Sequence, residues 1–257
     1  MNSRVIGLLS WYDEAPSWLA ATVSSFGKAI DHLVAVDGPY AAYPHGGVVR
    51  SDPGQVEVIQ RTCDALGIGL TLYQPREPFF GNEVEKRTLA FQLAQTITRT
   101  QDWIWVFDGD EVLTTAPADL RTRLDCIEAD VCSVDLCQHD HYDENGELRQ
   151  HMLLEPRSKH PMRMLFRALP NLRVVGRHDV YAAGPEDDPT YLWAPTTVPS
   201  VHAHHIPGVE VEHRTHRRSA HRMAASHEYY RHRDAFGLER LGHRMMETPD
   251  GRMEVVA

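Results

Sequence analysis

Asp108-Gly109-Asp110-Glu111 brings three carboxylates together directly after the apolar run Trp103 to Phe107, WIWVF. Carboxylates crowded in this way repel one another and resist losing water, so they need a positive partner. A hard divalent cation such as Mg²⁺ or Mn²⁺, bridging to a diphosphate, meets that need. Gly109 lets the backbone come close to a ligand. The plain alternative is an ordinary Asp-Gly turn after a strand. The strand before it and the acid after it weigh toward chemistry, because ligand crevices in open α/β sheets lie beyond the carboxyl ends of the strands. Histidine is the other abundant ligand type, with 16 in the chain, most of them beyond Gln138. A histidine-rich tail can bind metal, but for the tail as a whole a solvated, partly protonated surface is the favoured reading. His139-x-His141 has metal-like spacing on one strand face, but at a hairpin edge it reads as structural or acceptor-side. Cys63, Cys126, Cys132 and Cys137 form no CxxC pair, so they read as small buried hydrophobes in a reducing compartment.

Something must carry these groups. The first half alternates short apolar runs with amphipathic stretches, the pattern of βα units. Arg4 to Ser10 predicts a buried strand, and Pro16 opens a helix through about Phe26. His32 to Val36 predicts a second strand ending in the turn Asp37-Gly38-Pro39. Residues 41–52 read as a loop, and Val56 to Leu66 as a helix stopped by Gly67. Leu70 to Tyr73 is a third strand, and Asn82 caps a helix from Glu83 to about Thr98. Trp103 to Phe107 is the fourth strand. Beyond it the pattern turns to β: Val131 to Leu136, a hairpin around Asn145-Gly146, Met162 to Ala168, Arg173 to Val175, Pro199 to Ile206 and Val209 to His213. From Arg214 to about Leu241 the spacing predicts a helix.

Composition sets the bounds. A chain of 257 residues, 42% apolar and 24% charged, can bury a full core. Its formal charge of −10 argues against general binding of nucleic acid or anionic membrane. No apolar run approaches the ~18 residues of a membrane span. The run Val5 to Leu9 is too short for a signal peptide. A cytoplasmic globular protein is the expectation.

Strand 1 followed by Trp11-Tyr12-Asp13-Glu14, strand 2 ending at Asp37, a helix carrying Glu85-Lys86-Arg87, then DWIWVFDGDE together resemble the inverting glycosyltransferases of the family-2 type. The resemblance spans about residues 4–182. It implies the GT-A fold, a Rossmann-like mixed sheet flanked by helices, as a domain over 1–213 with a helical extension over 214–257. It implies that Asp13 or Glu14, and Asp37, hold base and ribose. Lys86 or Arg87 would lie near ribose and diphosphate, and Asp108 and Asp110 would form the DxD motif, with Asp110 on the metal. Each has a plain alternative: helix-terminal carboxylates for Asp13 and Glu14, a turn residue for Asp37, and solvated charges paired with Glu83 for Lys86 and Arg87.

Farther along, Arg163-Met164-Leu165-Phe166-Arg167 and then Gly176-Arg177-His178-Asp179 are similar to the family's RLFR-like strand and its Gly, hydrophobic residue, His-Glu pattern. Arg177 stands where the hydrophobic residue is usual, and Asp179 is shorter than the usual Glu. Asp179 is the expected general base, with His178 orienting it or touching the acceptor. Glu111, Asp143 and Glu144 are its rivals, and a surface His-Asp pair in a hairpin is the plain reading. His213 is expected to complete the metal site, with His204 and His205 as rivals.

The function implied is transfer of a sugar from a nucleotide-diphosphate donor to a hydroxyl of a glycan, lipid, protein or modified nucleic acid, with Mn²⁺ or Mg²⁺ as cofactor. Two alternatives stand beside it. A nucleotidyltransferase would want a Gly-rich loop after strand 1, where this chain has Trp11 to Pro16. A non-catalytic, histidine-rich module binding metal or sugar would need no turnover at all.

Overall fold

The structure is a computed structural model that describes residues 3–40, 47–79, 83–138, 158–176, 180–194 and 199–214, together with the strands Arg244–Glu247 and Met253–Val256. The first strand, β1 (Val5–Ser10), leads through α1 (Pro16–Phe26) to β2 (His32–Val36). Then come α2 (Pro53–Leu66), β3 (Gly69–Tyr73), α3 (Glu83–Gln95) and β4 (Trp103–Asp108). These match the hydrophobic pattern in order and kind, with ends that differ by at most three residues. The largest extension is α2, which starts three residues early because Pro53 suits a first turn and Asp52 caps it, accepting the Gly54 N–H at 2.8 Å.

After β4 the chain makes β5 (Glu111–Thr115), α4 (Leu120–Cys126), β6 (Val131–Gln138) and β7 (Ser158–Arg167). Next are β8 (Arg173–Val174), β9 (Tyr181–Ala183), β10 (Thr190–Trp193) and β11 (His204–His213). Eight strands join in one mixed sheet in the order β3-β2-β1-β4-β7-β6-β11-β5. Strands β3, β2, β1 and β4 are parallel, and β7 runs antiparallel to both β4 and β6. β8, β9 and β10 form a separate antiparallel sheet, and the final strands β12 (Arg244–Glu247) and β13 (Met253–Val256) pair as a ribbon. This is the α/β class with a mixed sheet flanked by helices. The helix expected from Arg214 to Leu241 and the Asn145-Gly146 hairpin lie outside the described residues.

Two departures have clear causes. Pro207-Gly208 reads as a turn between two strands, yet β11 runs through it; the pairing with β6 shifts register between His205 and Glu210, and Gly208 takes a φ of +79°. The dipeptide is absorbed as a bulge. β5 was not anticipated, because it starts directly after the Asp-Gly-Asp turn and crosses from the middle of the sheet to its far edge.

The core has two sides. Leu9, Phe26, Trp105 and Phe107 belong to the α1 and α2 side; Ile6, Phe91, Val106 and Tyr181 belong to the side of α3 and the small sheet. Alternation along β4 divides Trp105 and Phe107 from Ile104 and Val106. Helix α3 buries Glu83, Lys86, Arg87, Ala90, Phe91 and Ala94, a single stripe at three- and four-residue spacing. The stripe is apolar over the sheet and charged in its first turns, which face the carboxyl edge.

Candidate functional site

The DGD turn is a corner. Gly109 donates its N–H to Ser10 O at 3.1 Å, and its own carbonyl accepts the Thr22 hydroxyl of α1 at 3.0 Å. A Cβ on Gly109 would stand 3.1 Å from Glu14 Cγ and 3.3 Å from Trp11 Cβ, so the corner packs tightly on the loop after β1. On the other side, Glu111 pairs across the strands with His213 of β11, and Arg214 N–H closes on Asp110 O at 2.8 Å. His213 Nε2 consequently lies 3.3 Å from Asp110 Oδ2, with the Asp110 side chain only 2% exposed. Of the three rival histidines, His213 is brought to the carboxylates. His204 and His205 pair with Cys132 and Ser133 at the other end of β11, where His205 stands 3.7 Å from Asp135.

The helix separates the two basic candidates. Arg87 lines the cleft and binds Asp108 through both carboxylate oxygens, at 3.0 and 2.8 Å, while its Nε donates to Glu83 at 3.0 Å. Burial alone would depress the guanidinium, but Asp108 and Glu83 hold its pKa well above the usual value. Lys86 points inward. Its Nζ donates to Trp11 O at 2.7 Å and Gly38 O at 2.8 Å, tying the ends of β1 and β2 together. Burial pushes its pKa down to about 7, against the fields of Asp37 and Asp108.

Asp37 is wholly buried, and its carboxylate accepts from Gly38 N–H (2.7 Å), Ser51 Oγ (2.5 Å), Ser51 N–H (2.8 Å) and Gln74 Nε2 (2.9 Å). A carboxylate has about four lone-pair sites, and these four bonds make Asp37 an organiser of the loops at the end of β2. Ser51 Oγ also accepts Asp13 N–H at 2.8 Å, which carries the network to the loop after β1. Asp13 is exposed with a φ of +50°, a conformation Asp tolerates better than most residues. Glu14 is buried, and Gln55 accepts its N–H at 3.1 Å. Ser51, Gln55, Gln74 and Thr22 escaped the sequence reading; all are polar residues whose partners are distant in the chain.

Between α3 and the small sheet, at this same edge, lies a cleft of about 330 Å³. Arg87, Asp108, Glu111 and His213 line one part, and Met162, Arg163, Tyr181 and Trp193 the other. Burial pushes the Glu111 carboxyl up to about 8; the charges of Asp108 and Asp110 add to that, while His213 and the Asp108 N–H pull it down. His178 and Asp179, which directly precede Val180 in the sequence, lie outside the described residues.

The donor set suits a hard cation. Asp108, Asp110 and Glu111 offer oxygen and His213 an imidazole on one edge, as Mn²⁺ accepts. Among the described residues no three His, Cys, Asp or Glu side chains are grouped to hold an ion unaided. Mg²⁺-type sites typically need only one or two carboxylates, the rest coming from phosphate and water. Among the described residues no helix is long and apolar enough to cross a membrane.

No family model and no curated protein matches the chain. Solved structures do. A structure described as a glucose-1-phosphate thymidylyltransferase of Bacillus anthracis, in complex with sucrose, is 12% identical, with a TM-score of 0.34, over 64% of this chain and 72% of its own. A 2-C-methyl-D-erythritol 4-phosphate cytidylyltransferase of Francisella tularensis is 8% identical, with a TM-score of 0.33, over 65% and 73%. Likeness of this size says nothing of substrate.

Proposed function

We propose that this chain is a glycosyltransferase moving a sugar from a nucleotide-diphosphate donor to an acceptor hydroxyl, with inversion and with the help of a divalent cation. One observation carries the reading: Asp108, Glu111 and His213 line a cleft with Arg87 at the carboxyl edge of the central strands, opposite an aromatic wall, and Asp110 lies buried behind them against His213. Asp110 and His213 would hold the cation, with Asp108 reaching it directly or through water, and the cation would lend Lewis-acid charge to the departing diphosphate. Arg87 supplies a second, permanently positive charge for the same leaving group. Asp13 and Glu14 stand on the nucleoside side, while Asp37 and Lys86 keep the two loops there in place.

Asp179, with His178 beside it, is assigned the acceptor's proton. A base must stand away from the cation, since a coordinated carboxylate loses proton affinity. Tyr181, two residues on, lines the cleft. The loop after β1, Trp11 to Pro16, lacks the glycines that a nucleotidyl-transferring loop would want.

The test is to incubate the purified chain with Mn²⁺ and a panel of nucleotide sugars, identifying the phosphate product and the anomeric configuration of the transferred sugar. Release of a nucleoside diphosphate, with the anomeric centre inverted, is expected. Pyrophosphate formed from a nucleoside triphosphate and a sugar phosphate would replace this reading with nucleotidyl transfer. Binding without any turnover would mark a non-catalytic module.

A further inference from the structure

The two guanidinium groups lining the cleft are partnered differently. Arg87 faces two carboxylates, Glu83 and Asp108. Arg163, on β7, donates from Nη1 to the carbonyl of Leu192 and, at 3.3 Å, to the hydroxyl of Ser200. Among the described residues those hydrogen-bond partners are both neutral. Neutral acceptors orient a guanidinium without cancelling its charge. Burial lowers its pKa, as loss of water does to any cation. One residue beyond Leu192, Trp193 lines the cleft and stacks on Tyr181, with ring centroids 5.9 Å apart and planes 10° from parallel.

The sheet order says which substrate this wall faces. β1 and β2, whose loops carry the nucleoside side, lie on one side of β4; β7, carrying Arg163, lies on the other. A chain with a formal charge of −10 repels anions at long range, so an anionic ligand needs a local, fixed cation. An aromatic face beside such a cation suits a ring that bears negative charge. We infer that the cleft binds a sugar carrying an anionic group, a carboxylate or a phosphate, with Arg163 as the residue that selects it. In the transferase reading, on which the word acceptor depends, that sugar is the acceptor.

The experiment measures binding of glucuronate, glucose 6-phosphate and glucose to the full chain by saturation-transfer NMR, without nucleotide, and binding of nucleoside diphosphates in parallel. At least one anion should bind more than about tenfold tighter than glucose, with an advantage that shrinks as salt rises. A preference for glucuronate identifies the carboxylate as the source, and one for glucose 6-phosphate the phosphate. Arg163→Met should erase the advantage and Arg163→Lys keep part of it, with nucleoside diphosphate affinity unchanged in both. The wild-type comparison decides the matter even if Arg163→Met fails to fold. Equal binding of all three sugars overturns the inference, and so does an Arg163→Lys variant that loses nucleoside diphosphate instead. Failure of nucleotide-sugar turnover with the anion preference intact would sink the transferase reading alone.

Discussion

A carboxylate has room for about four hydrogen bonds, and Asp37 gives all of them to its own chain, through Gly38, Ser51 and Gln74. Asp37→Ala would leave buried donors unsatisfied at roughly 1–3 kcal/mol each. We expect a loss of about 3 kcal/mol or more, read as a lower urea midpoint; full stability with weakened nucleotide binding would return Asp37 to the ligand. Asp108 and Asp110 were legible because a strand of five apolar residues, Trp103 to Phe107, must be buried and so delivers the next carboxylates to the carboxyl edge of the sheet. Asp37 sits in a similar strand–turn context, yet its role turns on Ser51 and Gln74, 14 and 37 residues away. No spacing rule reaches that far. The split between Lys86 and Arg87 was also invisible, since adjacent residues on a helix are about 100° apart and either could have faced the cleft.

Helix α3 performs two tasks in its first turns: Arg87 pins β4 at Asp108, and Lys86 pins the ends of β1 and β2. The second pin is costly while charged. With its folded pKa near 7 and an unfolded value near 10.4, Lys86 binds fewer protons in the folded state than in the unfolded one between those limits. Stability therefore rises with pH across that window, by at most about 1.4 kcal/mol per unit. Below it the penalty is fully present, and above it the penalty is gone. Denaturation of wild type and Lys86→Met from pH 7 to 10 should show wild type gaining on the variant; a flat difference would mean that the ammonium is no harder to charge there than in water. The parallel units β1 to β4 were readable because each is a local apolar run followed by a helix with its own start signal. The edge strand β5 and the unbroken β11 were not, because their partners, not their own residues, make them strands. Pro207-Gly208 looks like a turn until β6 holds both sides of it.

The molecule divides its work across the sheet. The parallel half, β3-β2-β1-β4, brings the loops after β1 and β2 and the DGD corner to one edge, and the half beyond β4 returns His213 to that corner through β11 and β5. The cleft opens at the seam, with Arg163 and Trp193 on the far wall. A cation–diphosphate site at this seam is the central claim. Titration calorimetry of nucleoside diphosphates into wild type and Asp110→Asn, each with and without Mn²⁺, tests it most directly, because the substitution keeps shape and removes the charge that a hard cation needs. One nucleoside diphosphate should bind wild type at least about tenfold tighter with Mn²⁺, as a charged contact worth ~1.5–3 kcal/mol implies. Asp110→Asn should retain its fold and lose that metal dependence. Equal affinity with and without Mn²⁺ in wild type, or an unchanged metal dependence in a folded Asp110→Asn, would contradict it.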